Sequence, residues 1–116
     1  MGSLYLDGRS RTVIAPSGRG PQPYNPGGEG QMWESRDKGE TWTKTGDMTR
    51  NSPRNHTYIR RPLHAHPDFY AFWADGHGRQ PSESILYFSS SDGDVFRLPV
   101  SMEGDSERPE QVFHLK

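Results

Sequence analysis

The chain has 116 residues, a formal net charge of −1 and no cysteine, with 29% hydrophobic residues, 13 glycines and 10 prolines. The near balance of charge removes any global electrostatic case for nucleic acid or an anionic membrane, and the missing cysteines remove disulfides, thiolate catalysis and cysteine-ligated zinc. No apolar run approaches the ~18 residues that suggest a transmembrane helix, and the start Met1-Gly2-Ser3 lacks the basic region of a signal peptide. Gly and Pro at this density argue against long helices, and so polar a chain buries a core only with difficulty, which points to a part of something larger.

In chain order, Leu4–Leu6 and Thr12–Ala15 are short apolar runs joined through Asp7-Gly8, a hairpin pair. Residues 16–30, "PSGRGPQPYNPGGEG", form a loop; the run "PQPYNP" within it reads as a glycine-interrupted loop rather than a proline-rich ligand. Gln31–Ser35 and Thr41–Thr45 carry strand-favouring Trp33, Trp42 and Thr43, followed by polar Gly46–Asn55. Thr57–Arg61 reads as a strand stopped by Pro62. The aromatic run Asp68–Asp75 suits a buried strand or a helical turn, since short apolar runs are ambiguous. Gly76–Ser82 is loop; Ser84–Ser89 and Val95–Leu98 are strands around Asp92-Gly93, and Gln111–His114 is a last weak one. Eight or nine short strands without an amphipathic helix predict an antiparallel all-β chain.

Two hairpins repeat. "QMWESRDKGETWTK" and "ILYFSSSDGDVFRL" each place aromatic residues before a Ser, then an Asp-and-Gly turn, then an aromatic on the way out. Asp37 and Asp92 are 55 residues apart, Trp42 and Phe96 54 apart, close to the ~40–50 residues of a propeller blade. The octet "SRDKGETW" fits the pattern Ser/Thr-x-Asp-x-Gly-x-Thr-Trp at every defined position, and so resembles the Asp-box of sialidase-like BNR-repeat β-propellers; the second hairpin is a shorter, degenerate version. Residues 31–100, with "RNHTYIRRPLHAHPDFYAFWADG" and "LYFSSSDGDVFRLP", resemble the C-terminal part of ulvan-lyase-type polysaccharide lyases.

The resemblance implies antiparallel four-stranded blades: one over residues 1–50 with loop 16–30, a second, C-terminal one over 51–116 with the degenerate hairpin and a tail. Propellers close with about four to eight blades, so about two blades imply a fragment of a longer chain or, less simply, an oligomer completing a ring. Within the octet, Ser35, Asp37, Gly39, Thr41 and Trp42 are expected to be structural: Asp37 accepts from its own turn, Gly39 supplies positive φ, and Trp42 packs between neighbouring sheets. Asp92, Gly93 and Phe96 are expected to do the same in the second hairpin.

If that turn lies on the lower face, the upper mouth gathers Arg54, His56 and Tyr58, with Asp75, His77 and Arg79 nearby. A uronic-acid polymer needs a cation for its carboxylate, as Arg54 or Arg79 could supply, and a lyase needs a residue to take or return a proton, as His56 or Tyr58 could. The plainer alternative is solvated arginines and a packed Tyr58. His64, His66 and Asp68 have metal-like spacing, but Pro67 favours a turn and no metal is expected; no cofactor is implied either. A sialidase mechanism would need an arginine triad and a tyrosine–glutamate pair; Glu83 and Tyr58 exist but match no arrangement. The expected partners are a polysaccharide substrate and the remaining blades of the parent, not nucleic acid or a membrane. The parent is expected to be extracellular or periplasmic, and the isolated chain inactive. The competing readings are a non-catalytic glycan- or protein-binding propeller and a sialidase- or glycosidase-like hydrolase.

Overall fold

The computed structural model describes residues 2–7, 10–18, 20–21, 27–76, 83–99 and 104–115. Among these the chain is all-β, with nine strands: β1 (Ser3–Asp7), β2 (Ser10–Pro16), β3 (Gly30–Ser35), β4 (Thr43–Asp47), β5 (His56–Arg60), β6 (Ala71–Asp75), β7 (Leu86–Ser89), β8 (Val95–Arg97) and β9 (Glu110–Phe113). They form two antiparallel meanders, one of four strands in the order β1-β2-β3-β4 and one of five in the order β5-β6-β7-β8-β9. This arrangement is consistent with two blades of an incomplete propeller. The second sheet carries its four strands β5–β8 and adds a fifth, because the tail returns as β9 and pairs with β8, Arg97 opposite Glu110 and Val95 opposite Phe113. Arg97 also forms an ion pair with Glu110 at 2.9 Å across that edge.

The two sheets face each other. Strand alternation sends Tyr5, Ile14 and Met32 of the first sheet, and Ile59, Ala71, Trp73, Tyr87 and Val95 of the second, into one buried cluster, with Met48 from the connection between them. At one lateral edge β1 lies against β5 and the approach to β6: Ser3 Oγ donates to the Ile59 carbonyl at 2.8 Å, and Tyr5 stacks on Tyr70 with ring centres 4.0 Å apart. At the other edge Arg50, just past β4, donates to the His114 carbonyl at 3.0 Å and lies over the Phe113 ring. The main approach between the two sheets is β2 against β5, with these side-chain contacts tying the edges on either side.

The loops sort to two ends. Backbone bonds from His56 N–H to Gly27 O (3.1 Å) and from Gly76 N–H to Asn55 O (3.0 Å) tie the β2–β3, β4–β5 and β6–β7 connections together at one end. At the opposite end Ser91 N–H donates to Pro67 O at 2.7 Å, joining the β5–β6 and β7–β8 connections. The aromatic run Asp68–Asp75 splits between these roles. Only Ala71–Asp75 is strand, while His66 and Phe69 pair across a tight turn that begins at Pro67.

Candidate functional site

The octet is a clip, built as the sequence implies except at its tryptophan. Asp37 Oδ1 accepts from Ser35 Oγ at 2.8 Å and Thr41 N–H at 2.9 Å, and Oδ2 accepts from Thr41 Oγ1. Ser35 Oγ in turn accepts from Gly39 N–H at 2.8 Å. The hydrogen bonds from Thr41, then that from Ser35, hold the Asp37 carboxyl down at about 2. A shallow cleft of about 460 Å3 opens beside this turn, lined by Glu34, Arg36, Asp37, Thr41, Thr43 and Thr45. Its one octet carboxylate spends three of its roughly four acceptor positions on its own turn, and those bonds make Asp37 a weak base for a substrate proton. Trp42 departs from expectation. Its indole N–H donates to the Gly39 carbonyl at 3.0 Å and its ring lies over Gly39, 37% exposed, so it caps the turn instead of packing between the sheets.

Gly39 stands at φ +91° beside Lys38 at +64°. A Cβ on Gly39 would have room, its nearest neighbour being the Trp42 ring at 3.8 Å, so the backbone conformation is the whole objection to a side chain. Gly39→Ala is therefore expected to destabilise the chain by about 1–2 kcal/mol, the cost of one residue in the left-handed region, read as a lowered urea midpoint.

The second hairpin uses different atoms. Asp92 is exposed, and among the described residues no side-chain hydrogen bond ties it to the turn. Ser90 Oγ accepts from Asp94 N–H at 3.2 Å, the same i to i+4 relation as Ser35 and Gly39. The carboxylate that bonds here is Asp94, to Gln111 Nε2 at 3.2 Å and to His114 Nδ1. Gly93 is required as expected: φ is +90°, and a Cβ would sit 2.5 Å from that of Leu115. Phe96 stacks on Phe88 at 5.1 Å on the face of the sheet away from the first one.

The structure brings together Arg54, His56 and Asp75 at the end where the three connections meet, but buries His56 and Asp75 and leaves Arg54 only partly exposed. His56 has no exposed surface. Its Nδ1 lies 2.9 Å from Trp73 Nε1, and its Nε2 lies 2.8 Å from Ser52 Oγ. An indole N–H only donates, so Nδ1 must accept and Nε2 carries the proton. Ser52 Oγ then donates to Glu29 Oε2 at 2.9 Å, and Glu29 also accepts from Ser52 N–H at 2.9 Å and Thr49 Oγ1 at 2.6 Å. Every proton in this chain runs toward Glu29. In a nucleophilic triad the acid sits on the histidine and the free imidazole nitrogen faces the serine; here the acid sits on the serine and Trp73 occupies the lone pair. His56 as seated is a neutral connector, with neither nitrogen free to act as a base.

Burial lowers the His56 pKa below its ordinary 6.5, against the opposing pull of Glu29 and Asp75. The unfolded chain then binds a proton more readily than the folded one, so stability is complete above about pH 6.5 and is lost as pH falls through and below it. Asp37 adds a separate loss between its ordinary 3.8 and about 2. Urea midpoints measured from pH 7.5 to 5 are expected to fall, and His56→Gln is expected to flatten that slope while lowering the plateau.

Asp75 is the second buried anchor, its side chain wholly enclosed. Oδ1 accepts from Ile85 N–H at 2.8 Å, and Oδ2 accepts from the Tyr87 hydroxyl at 3.2 Å. Arg54 Nε lies 3.2 Å from Oδ2 as an ion pair, its N–H directed off the oxygen, and the same guanidinium reaches Glu83 at 3.6 Å. Burial, then the Asp75 charge, pushes the Tyr87 hydroxyl up to about 12. Arg54 and Asp75 thus neutralise each other.

Tyr58 points elsewhere. The β5–β6 register slips between Thr57 and Arg60, so Tyr58 and Ile59 both lie opposite Trp73. Tyr58 takes φ +53° and stays 47% exposed, while Ile59 is buried. His77 and Arg79 lie outside the described residues. His66 Nδ1 accepts from Asp68 N–H at 3.1 Å within an exposed turn, and among the described residues no three His, Asp or Glu side chains gather as metal ligands.

Sequence reasoning missed Glu29, Ser52, Trp73 and Tyr87, which make up most of the buried network. Nothing in a Gly-Gly-Glu-Gly loop or an aromatic strand marks them for it. Comparison with protein-family models, curated proteins and solved structures finds no match to the chain.

Proposed function

We propose that the chain is a pair of consecutive blades from a BNR/Asp-box β-propeller, part of a larger protein that acts on polysaccharide. Two uncovered apolar rows carry this reading. On the outer face of the second sheet Phe72, Phe88 and Phe96 occupy one register row, and Phe69, 42% exposed, stacks on Phe88 at 5.1 Å. On the opposite outer face Leu4, Val13 and Trp33 form another register row, with Leu4 48% exposed. Aromatic and aliphatic rows on both ends of a two-sheet stack are what further sheets would cover. The Asp37 clip and the face-to-face packing of the two meanders around one core support the same reading.

For the parent, the lyase reading takes a uronic-acid polymer cleaved by β-elimination, with Tyr58 as the exposed phenol that takes or returns the proton. The burial of His56, with both nitrogens engaged, favours the second reading, a non-catalytic glycan- or protein-binding propeller. Incubating the parent protein with uronic-acid polymers and following ultraviolet absorbance of unsaturated products separates them. Product formation supports the lyase; polymer binding without product supports the binding module. New reducing ends without a double bond would mean a hydrolase, and neither binding nor product would remove the polysaccharide reading.

A further inference from the structure

We propose that the cleft between β1 and β5 is a binding site for an oxoanionic group carried on a small ring, held by Arg60 and Arg61 beside Tyr58. It shares Tyr58 with the lyase reading but rests on the geometry of the cleft, so an anionic sugar that binds here without being cleaved satisfies it while leaving the lyase reading unsupported. The cleft measures about 410 Å3 and is lined by Gly2, Ser3, Leu4 and the run Tyr58–Arg61. A second cleft of about 320 Å3, walled by Phe72, Trp73, Ala74 and Leu86, adjoins it through Tyr58 and Arg60. Tyr58 therefore stands as a partition between a cationic recess and an apolar one.

Three observations point to a ligand. The bulge that exposes Tyr58 holds a bulky aromatic residue in the left-handed region, a conformation that persists only where the surroundings impose it and that gathers at functional sites. Without the extra residue, alternation would turn Tyr58 inward and Ile59 outward. Next, the Arg60 guanidinium lies over the Tyr58 ring at 5.7 Å and that of Arg61 over the Tyr5 ring at 5.8 Å. A guanidinium held over a ring face is not consumed by a hydrogen bond to the ring, so its N–H donors stay free to grip a carboxylate, sulfate or phosphate. Third, both arginines are exposed and, among the described residues, neither has a carboxylate within ion-pair distance; Arg61 reaches only the Leu4 carbonyl, at 3.4 Å. Elsewhere Arg36, Arg54 and Arg97 each sit on an acid. The ring of the ligand packs on Tyr58 and Leu4, and its anion takes the two guanidinium edges.

The test is titration of the 116-residue chain with glucuronate, glucose 6-sulfate and glucose 6-phosphate, followed by amide chemical shifts, with glucose as the neutral control. At least one anionic sugar is expected to shift the β1 and β5 amides saturably, with affinity falling as salt rises, and the preferred anion identifies the source. Arg60→Gln and Arg61→Gln are each expected to weaken binding about tenfold, and the double variant to abolish it. Both residues are exposed, so these variants should melt as the parent chain does. Tyr58→Gly, which relieves the backbone conformation, should melt no lower yet bind more weakly. No saturable shift with any of the three anions, equal binding of glucose, or unchanged affinity in the double variant would overturn the proposal.

Discussion

Asp75→Ala is expected to cost about 3–5 kcal/mol, the range for removing one partner of a buried charge pair. Against a total stability of about 5–15 kcal/mol for a domain, such a loss leaves a large fraction of the chain unfolded. The magnitude follows from what the carboxylate holds. It joins the end of β6 to the start of β7 through Ile85 N–H, anchors the Tyr87 hydroxyl within the core, and offsets Arg54, whose side chain is only 17% exposed. Alanine leaves an amide and a phenol without their acceptor and a guanidinium without its buried counter-charge at once. Asp75→Asn keeps the shape and a carbonyl for Ile85 but not the charge, so it should fall between the two. Urea unfolding followed by tryptophan fluorescence measures all three. An Asp75→Ala midpoint within error of the parent chain would show that the pair contributes nothing.

Trp73→Ala is expected to cost a similar 3–5 kcal/mol, the usual loss for a large buried aromatic. Trp73 is 2% exposed, stacks on Tyr87 at 5.7 Å and donates its indole proton to His56. Two substitutions separate packing from hydrogen bonding. Trp73→Phe keeps a ring but leaves His56 Nδ1 without a donor, an unsatisfied buried acceptor worth about 1–3 kcal/mol. It should also change the pH response, because a vacated Nδ1 can take a proton with less opposition. The expected result is a weaker fall in stability below pH 6.5 than in the parent chain, on a lower plateau.

All nine strands are legible as sequence, and the reason is local. Each apolar run is short, alternates or is bounded by Gly, Pro, Asn or Asp, and such boundaries need no tertiary information. What stayed hidden depends on which distant groups meet. Thr49, Asn55 and His56 sit in or beside a polar stretch that reads as solvent-facing loop, yet all three are fully buried where the connections meet. Their burial is permitted by partners such as Glu29 and Trp73, 20 and 17 residues away. The bulge at Tyr58 is equally silent, because a two-for-one register slip depends on the partner strand. In the second hairpin the visible Asp-Gly pair drew the role to Asp92, whereas the structure gives it to Ser90 and Asp94, whose spacing from the tail residues Gln111 and His114 no local pattern encodes.

Light scattering of the isolated 116-residue chain after gel filtration, with uptake of a dye that fluoresces on exposed apolar surface, bears most directly on whether these two sheets are neighbours in a larger ring. The account predicts self-association or dye uptake that disappears when Leu4→Lys and Phe69→Lys are combined. A parent chain that runs as a monomer, takes up no dye and is as stable as the double variant would contradict it.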